Sequence, residues 1–220
     1  MINKTAYIAI EGNIGAGKTS LSKLIAADMG ANLMLETFEE NPFLPLFYQN
    51  PSQYALAVEL FFMTERQTQL QGWLLHANLL QPLLADYVFS KTLIFAGENL
   101  AGAEWELFQK IFYGLSCNLP KPDLLVYIRR PIAELLQNIK KRNRSYEQNI
   151  QADYLERVEQ SYNEFFARHE AEIPILIIEA AGCDFVNNPQ HYQAVQKLIA
   201  DRQRNSQSKG ITAADYQLHL

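Results

Sequence analysis

The first residues whose types and spacing predict chemistry are residues 12–19, which read Gly-Asn-Ile-Gly-Ala-Gly-Lys-Thr. This run matches the pattern GxxxxGK[ST], follows an apolar run of strand length and opens an amphipathic helix, as a phosphate-binding loop does. In such a loop, backbone N–H groups cradle phosphate oxygens, the lysine reaches the β- and γ-phosphates, and the final hydroxyl can bind Mg²⁺. The motif predicts a bound ATP or GTP. The predicted contacts are Gly12, Asn13, Gly15, Ala16, Gly17, Lys18, Thr19 and Ser20.

A second candidate group is Glu36, at the end of the apolar stretch that follows the first helix. Ligands of open α/β sheets bind at the carboxyl ends of the strands, so we expect Glu36 to lie near the phosphate loop. A carboxylate there can accept the proton of an attacking hydroxyl, which distinguishes a kinase from a hydrolase. GTPases of the Ras type read guanine with an NKxD motif. The only Asn-Lys pair of this chain, at residues 3–4, precedes the phosphate loop and is followed by Thr-Ala. A GTPase of this type is therefore disfavoured.

Apolar runs of strand character alternate with longer segments of helical periodicity, which predicts βα units and a parallel sheet. The predicted strands are residues 7–11, 32–36, about 79–85, 124–128 and 175–179. The predicted helices are residues 19–29, 52–77, 103–115, 132–142, 152–168 and 189–204. The chain of 220 residues suits one α/β domain over residues 1–204, and the polar residues 205–210 predict a tail over residues 205–220.

Composition limits the possible partners. The formal net charge of −5 and the pI of about 5.4 argue against a nucleic-acid polymer, because phosphate-backbone binding needs a basic surface. The apolar runs are far shorter than the ~20 residues of a membrane span, and the first residues lack a signal-sequence pattern. We therefore expect a cytoplasmic protein with no membrane partner. Cys117 and Cys183 have no metal-ligand or redox spacing and are expected to be reduced thiols.

Several separately placed segments resemble the deoxynucleoside kinase family, over about residues 6–198. Besides the phosphate loop, they include the run Glu-Thr-Phe-Glu-Glu-Asn-Pro-Phe-Leu at residues 36–44 and the stretch over residues 46–66. The resemblance makes Glu36 the general base that deprotonates the 5′-hydroxyl of a nucleoside during transfer of the γ-phosphoryl group. It implies further nucleoside contacts for Tyr48 at the sugar 3′-hydroxyl, Glu59 at the base-reading position, Arg66 at the base site, and Phe95 as the aromatic stacking partner.

The basic run Lys-Arg-Asn-Arg-Ser-Tyr-Glu at residues 141–147 resembles the family's arginine-rich lid, R-x-R-x-x-E. Without the family, the run is also typical of a solvated basic helix end. A phosphoryl-transfer transition state carries negative charge, which guanidinium groups stabilise while a closing lid excludes water. Arg142 and Arg144 are the candidates for that catalytic role, and the resemblance makes Glu147 a ligand of the sugar 3′-hydroxyl.

One segment departs from the family pattern. The family has an acidic residue followed by Arg and Ser after the third strand, whereas this chain has Asp86 followed by Tyr87. In the family the acid helps to hold Mg²⁺ and the arginine clamps the reacting centre, so Asp86 joins Thr19 as a predicted metal ligand. Losing the arginine costs several kcal/mol of barrier if nothing replaces it. Lys91 either replaces it as a catalytic point charge or aligns with a base-site residue.

The resemblance implies a P-loop kinase fold, with a five-stranded parallel sheet flanked by helices and an arginine-rich lid. It also implies ATP as phosphate donor, Mg²⁺ as cofactor, a deoxynucleoside as acceptor and commonly a homodimer. Two alternatives stay open: a nucleoside-monophosphate kinase of the thymidylate kinase type, and a nucleotide-binding module without catalysis. Glu36 argues against the first alternative, because a phosphate acceptor needs no carboxylate base. The retained charged and hydroxyl residues Lys18, Thr19, Glu36, Arg142, Arg144 and Glu147 argue against the second.

Glu59 bears on the choice of nucleobase, because the family usually has glutamine at this position. A glutamine amide both donates and accepts, which suits adenine or cytosine, whereas an ionised carboxylate only accepts. Guanine presents two adjacent donors, N1–H and the N2 amino group, while Arg66 or Lys91 can donate to O6 or N7. We therefore predict deoxyguanosine ahead of deoxyadenosine, with deoxycytidine third and thymidine last. In the alternative, Glu59 forms an ion pair with Arg66 or Lys91, and pocket shape sets the base.

Overall fold

Short apolar strands, paired in parallel, build the centre of the molecule. The computed structural model describes residues 7–37, 40–76, 81–169, 172–208 and 214–217. The strands form one sheet in the order β2-β3-β1-β4-β5-β6, and every pairing is parallel. Their bounds are β1 (Tyr7–Gly12), β2 (Asn32–Met34), β3 (Leu83–Ala85), β4 (Leu124–Arg129), β5 (Ile175–Glu179) and β6 (Ala214–Gln217).

The five-stranded parallel sheet predicted from the sequence is confirmed, and β6 adds a sixth strand beside β5. The second strand ends at Met34, two residues before the predicted end, because the backbone N–H of Glu36 binds the Asp86 side chain instead of continuing the ladder. The third strand begins at Leu83, and residues 79–80 of its prediction lie outside the described residues.

Eight helices connect and cover the strands in the part of the chain that the structure describes. They are α1 (Lys18–Met29), α2 (Leu44–Gln49), α3 (Pro51–His76), α4 (Lys91–Asn99), α5 (Gly102–Ser116), α6 (Ile132–Arg142), α7 (Ala152–His169) and α8 (Pro189–Ser208). The sequence does not predict α2 and α4, whose six and nine residues are too few for a clear helical period. None of the described helices is both long enough and apolar enough to cross a bilayer.

The division into a domain and a tail at residues 204–205 stays a prediction. Within the residues assigned to the tail, α8 continues to Ser208 and β6 pairs with β5 from Ala214 to Gln217.

Strand β1 lies inside the sheet, and both of its faces are covered. Tyr7 and Ala9 pack into a core on one face, and Ile8 and Ile10 pack into a second core on the other. This alternation follows from the two-residue period of a strand, and helices on both faces explain why the strand is apolar throughout. The sheet therefore holds the end of β1, where the phosphate loop begins, in a fixed position.

Glu11 is the buried carboxyl group at that end of β1. Its Oε1 accepts a hydrogen bond from the backbone N–H of Val88 (2.9 Å), and its Oε2 accepts one from the hydroxyl of Tyr162 (2.8 Å). A buried carboxyl is tolerated only when its oxygens are hydrogen-bonded. Glu11 thereby joins the start of the phosphate loop to α7 and to the connection after β3.

We expect Tyr162→Phe to lower the free energy of unfolding by about 1–3 kcal/mol, because the variant deprives a buried carboxyl oxygen of a donor. Urea unfolding followed by circular dichroism measures the change. Tyr113→Phe is the matched control: Tyr113 is 61% exposed, and surface changes usually stay within about 0.5 kcal/mol. Equal losses in the two variants would contradict a structural role for the Glu11 contact.

Candidate active site

The phosphate loop takes a conformation that requires its glycines. Gly15 has a φ of +85°, and a Cβ added to it would lie 2.7 Å from the carbonyl oxygen of Leu135. Gly17 has a φ of +97° and immediately precedes α1, so the chain turns there from strand to helix. Side chains other than glycine are strained at these angles. The spacing of these glycines is therefore a steric requirement.

Side chains of the loop hold it from within. Lys18 Nζ donates hydrogen bonds to the carbonyl oxygens of Gly12 (2.9 Å) and Asn13 (3.1 Å). The Asn13 side chain is buried, with Nδ2 donating to the carbonyl oxygen of Leu155 (2.8 Å) and Oδ1 accepting from the backbone N–H of Ile14 (2.8 Å). The Asn13 side chain therefore anchors the loop to α7, and any phosphate contact by this residue falls to its main chain.

Two residues outside the motif also hold the loop, and the sequence analysis missed both. Asn138 on α6 donates from Nδ2 to the carbonyl oxygen of Gly15 at 2.9 Å. Arg130, just after β4, donates from Nε to the carbonyl oxygen of Ala16 at 3.0 Å. Its remaining nitrogens donate to two carbonyl oxygens of the β5–α8 connection, at 2.8 and 2.7 Å. Since these side chains bind main-chain carbonyls, no motif marks them in the sequence.

The loop opens onto a surface groove that we call the outer cleft. It is lined by Gly15, Ala16, Gly17, Lys18, Thr19, Ser20, Arg130, Glu134, Gln137, Asn138, Lys141, Arg142, Arg144 and residues 182–187. A wall of backbone amides, basic side chains and the ring of Phe185 suits a nucleoside triphosphate.

A second depression, the inner cleft, lies on the other side of Lys18. Its empty volume is about 820 Å³ including its open mouth. Its lining is Ile14, Lys18, Thr19, Glu36, Leu44, Phe47, Tyr48, Val58, Glu59, Phe62, Arg66, Asp86, Lys91, Phe95, Asn99, Arg142, Arg144, Glu147 and Tyr154. The two clefts share Lys18, Thr19, Arg142 and Arg144. A group bound in one cleft therefore faces a group bound in the other across these four residues.

Glu36 lies at this junction and is held by two cations. Arg66 on α3 donates to Glu36 Oε1 from Nε (2.9 Å) and from a terminal nitrogen (2.5 Å). Lys91 at the start of α4 donates from Nζ to Oε2 at 2.7 Å. Arg66 is itself fixed by a hydrogen bond of 2.7 Å to the Thr92 hydroxyl. The carboxylate therefore has a fixed orientation at the mouth of the inner cleft.

The charges at the junction shift the ionisation of both Glu36 and Lys18. Burial alone would raise the pKa of Glu36, but Lys91 and Arg66 outweigh it and hold the pKa well below its usual range. Loss of solvation, followed by the charge of Lys91, lowers the pKa of Lys18 to about 8. At pH 7 Glu36 is therefore ionised, and Lys18 is still mostly protonated.

Thr19 and Asp86 form the pair predicted to bind the metal. The Thr19 hydroxyl donates to Asp86 Oδ2 at 2.5 Å, and Asp86 Oδ1 accepts the backbone N–H of Glu36 at 2.8 Å. Among the described residues, no group of three or more His, Cys, Asp or Glu side chains could hold a metal ion. Mg²⁺ usually binds through one or two carboxylates together with substrate phosphates, so one carboxylate and one hydroxyl beside the loop fit this ion.

Tyr87 follows Asp86 at the place where the family has an arginine, and the structure shows what Tyr87 and Lys91 contact. The Tyr87 hydroxyl donates to Gln69 Oε1 at 2.6 Å, and its ring is fully buried. Lys91 supplies a positive charge to Glu36 and also lies 5.6 Å from the centre of the Phe95 ring. The ion pair with Glu36 favours Lys91 as the replacement point charge over the alternative in which Lys91 faces the base.

Aromatic and acidic side chains complete the inner cleft. Tyr48 on α2 stacks on Tyr146 with ring centres 6.0 Å apart, and Phe95 packs edge-on against Tyr162 at 6.3 Å. Glu59 Oε1 accepts a hydrogen bond from Asn99 Nδ2 at 2.7 Å. The sequence analysis did not predict Asn99, which follows no motif and lies at the end of the short helix α4.

The predicted lid residues also meet in the structure. Glu147 is buried and forms ion pairs with Arg142 and, at 3.2 Å, with Arg144. Helix α6 ends at Arg142, and Asn143 follows with a left-handed φ of 58°. The backbone N–H of Asn143 donates to the carbonyl oxygen of Ile139, and this bond ends the helix.

A parallel sheet with a phosphate loop after an inner strand, and with a basic segment over that loop, defines a P-loop phosphotransferase fold. The family model for deoxynucleoside kinases matches residues 8–202, and the chain belongs to this family.

Individual relatives agree with this assignment. The deoxyguanosine kinase of Bacillus subtilis (strain 168) is 34% identical over 204 residues, which cover 91% of this chain and 99% of the relative. The deoxyadenosine kinase of Lactobacillus acidophilus is 29% identical over 209 residues, covering 90% and 96%. A structure of deoxyadenosine kinase from M. mycoides with the products dCMP and dCDP has a TM-score of 0.74 and 25% identity, covering 87% of this chain and 98% of that chain. The chain is therefore a deoxynucleoside kinase, as the resemblance predicted.

We expect Lys91→Ala to lower kcat more than fivefold with a smaller effect on the nucleoside KM, because it removes one of the two cations that hold Glu36. Since Lys91 lowers the pKa of Glu36, its loss should also move the acid limb of the kcat profile to higher pH. Steady-state kinetics at about pH 7 measure the changes in kcat and KM, and a kcat profile continued below about pH 5 measures the shift of the acid limb. Lys91→Arg, which keeps the positive charge, is the matched control.

Two results would contradict this role. A change in KM alone would place Lys91 at the base. Unchanged kinetics in both Lys91→Ala and Asp86→Asn would make the whole segment structural.

Proposed function

We propose that the protein transfers the γ-phosphoryl group of ATP to the 5′-hydroxyl of a purine deoxynucleoside, as a step of nucleotide salvage. The observation that carries this proposal is the meeting of the two clefts at Lys18, Thr19, Arg142 and Arg144, with Glu36 at the junction. The outer cleft offers a triphosphate the loop amides, and the inner cleft offers a nucleoside aromatic walls and hydrogen-bonding groups. Transfer between them then needs no large movement of either substrate.

Glu36 receives the proton of the 5′-hydroxyl in this proposal. Because Arg66 and Lys91 keep its pKa low, Glu36 is a weak base, and it takes the proton as the oxygen bonds to phosphorus. Before that step its main effect is to orient the hydroxyl toward the γ-phosphate. The fixed bonds to Arg66 and Lys91 hold the carboxylate in place during the reaction.

The remaining charged residues stabilise the transferred group. Lys18 contacts the β- and γ-phosphates, and Arg142 and Arg144 approach the γ-phosphoryl group from the lid. Glu147 pairs with both arginines and, in this proposal, binds the sugar 3′-hydroxyl together with Tyr48. Mg²⁺ would be held by the Thr19 hydroxyl and the Asp86 carboxylate, and it would neutralise negative charge on the transferred phosphate.

Deoxyguanosine is the proposed preferred acceptor, with Phe95 stacking on the base and Glu59 accepting its N–H donors. The 34% identity to a deoxyguanosine kinase supports this order. The alternative ion pair finds no support among the described residues, because Arg66 binds Glu36 and Thr92, and Lys91 binds Glu36.

A nucleoside-monophosphate kinase is the second candidate, and the charges of the inner cleft disfavour it. The cleft carries the three carboxyl groups of Glu36, Glu59 and Glu147 besides Asp86. Its arginines and Lys91 are bound to these carboxylates. An acceptor phosphate would have to displace those ion pairs, whereas a hydroxyl does not.

We also propose a homodimer formed through α3 and α5. These helices pack against each other and carry exposed large apolar side chains, including Leu75 (79% exposed) and Leu107 (50%). Burial of such a patch favours association. The cytoplasmic location and the lack of a nucleic-acid partner stay predictions from the sequence.

A panel assay tests the proposed function. The purified protein, ATP and MgCl₂ are incubated with each deoxynucleoside and each nucleoside monophosphate, and products are separated by chromatography. We expect phosphorylation of deoxyguanosine and deoxyadenosine, dependent on MgCl₂, and none of the monophosphates. Phosphorylation of a monophosphate alone would favour the second candidate, and no product from any acceptor would favour a non-catalytic module.

We expect Glu36→Gln to lower kcat by about two to four decades while nucleoside binding stays nearly unchanged, because the amide keeps the size and loses the basicity. Single-turnover kinetics and calorimetric titration with nucleoside plus a non-hydrolysable ATP analogue separate the two effects. The neighbouring exchange Glu40→Gln, on an exposed residue, is the control. A variant with full turnover, or one defective only in binding, would remove Glu36 from the mechanism.

A further inference from the structure

Glu59 and Asn99 form a polar pair in the wall of the inner cleft, near the rings of Phe62 and Phe95. Asn99 Nδ2 donates to Glu59 Oε1. Glu59 Oε2 is buried and, among the residues that the structure describes, has no hydrogen-bond partner. The Glu59 residue is only 3% exposed. A buried oxygen without a partner is unfavourable, so Oε2 marks a place where a ligand atom can complete the bonding.

The charged and titratable groups that face Glu59 come from several elements. Arg66 acts from α3, Lys91 from the start of α4, and Glu36 from the connection after β2. Tyr154 faces it from α7. Both cations bind Glu36 rather than Glu59. The direct contact of Glu59 is therefore the neutral amide of Asn99.

This environment brings the pKa of the Glu59 carboxyl into the physiological range. Burial raises the pKa of Glu59 to about 7, against the opposite effects of the Asn99 bond and Arg66. Protonated and ionised forms are thus both populated near neutral pH. The ionised form only accepts hydrogen bonds, whereas the protonated form has one O–H donor and one acceptor, as a glutamine amide has.

We infer that Glu59 selects the purine by its protonation state, so that the preference of the protein between guanine and adenine depends on pH. The ionised carboxylate accepts the adjacent N1–H and N2 amino donors of guanine. The protonated carboxyl donates to N1 of adenine and accepts from its N6 amino group. Asn99 is a positioning residue, because its bond to Oε1 leaves Oε2 as the atom that carries the proton. This inference rests on the proposed deoxynucleoside kinase function.

The test is the ratio of kcat/KM for deoxyguanosine to kcat/KM for deoxyadenosine, measured with saturating ATP and MgCl₂ at several pH values. The ratio of ionised to protonated carboxyl rises tenfold for each pH unit, so the kinetic ratio should rise by up to about 100-fold between about pH 6 and pH 8. Ionisations that affect both reactions alike, such as that of Lys18, cancel in this ratio.

Two outcomes distinguish a failure of the inference from a failure of the proposed function. If both deoxynucleosides are phosphorylated but the ratio changes by less than about threefold over this range, the inference is wrong and the proposed function stands. If neither is phosphorylated at any pH, the proposed function fails, and the inference fails with it.

Glu59→Gln is the matched variant, because it keeps the size of the side chain and fixes one donor and one acceptor. We expect it to phosphorylate deoxyadenosine, to lose the pH dependence of the ratio, and to lower the ratio at least tenfold at about pH 8. A Glu59→Gln protein whose ratio still changes with pH as in the wild type would overturn the inference.

Asn99→Ala gives an independent check. The Asn99 bond lowers the pKa of Glu59, so its loss raises that pKa and favours the protonated form. We expect a lower ratio of kcat/KM for deoxyguanosine to kcat/KM for deoxyadenosine at every pH, with the same change of the ratio per pH unit as in the wild type. Thermal unfolding of each variant verifies that it is folded, and an unchanged ratio in folded Asn99→Ala would exclude the positioning role.

Discussion

The arrangement of the active site depends on one buried negative charge, the carboxylate of Glu36. A carboxylate removed from water needs compensation by cations and hydrogen bonds, and Glu36 obtains it from Arg66 on α3 and Lys91 on α4. These two helices follow one another in the chain on either side of β3 and pack together, and their packing is therefore tied to the ionised state of one side chain. The phosphate loop joins the same network, because Asp86 binds both the Glu36 backbone and Thr19.

The charged groups of the site form two sets, each with one carboxylate and two cations. Glu147 holds the two lid arginines, and Glu36 holds the two cations of the inner cleft. Each substrate therefore enters a site in which charges are already oriented, and it exchanges existing contacts for new ones. Such preorganisation reduces the rearrangement that the chemical step requires.

Much of this arrangement follows from local sequence. The glycine spacing of the loop, the five apolar strands and the family segments locate Lys18, Glu36, Arg66 and the lid, because each depends on a short pattern. The short helices α2 and α4 escaped prediction, since six or nine residues set no clear period. Asn99, Arg130 and Asn138 escaped for another reason. Their hydrogen-bond partners lie far away in the chain or on the main chain, and tertiary structure alone brings them together.

The ends of the sheet have a consequence for handling the protein. Within the described residues, the two outermost strands, β2 and β6, span three and four residues. Short edge strands offer few unpaired amides to a neighbouring molecule and so limit edge-to-edge aggregation. Strand β6 also pairs with four residues of β5, a strand whose first four residues are buried and apolar. An affinity tag or truncation that displaces β6 would leave β5 as a longer edge strand that is more prone to aggregation. A tag at the other terminus avoids that effect on solubility.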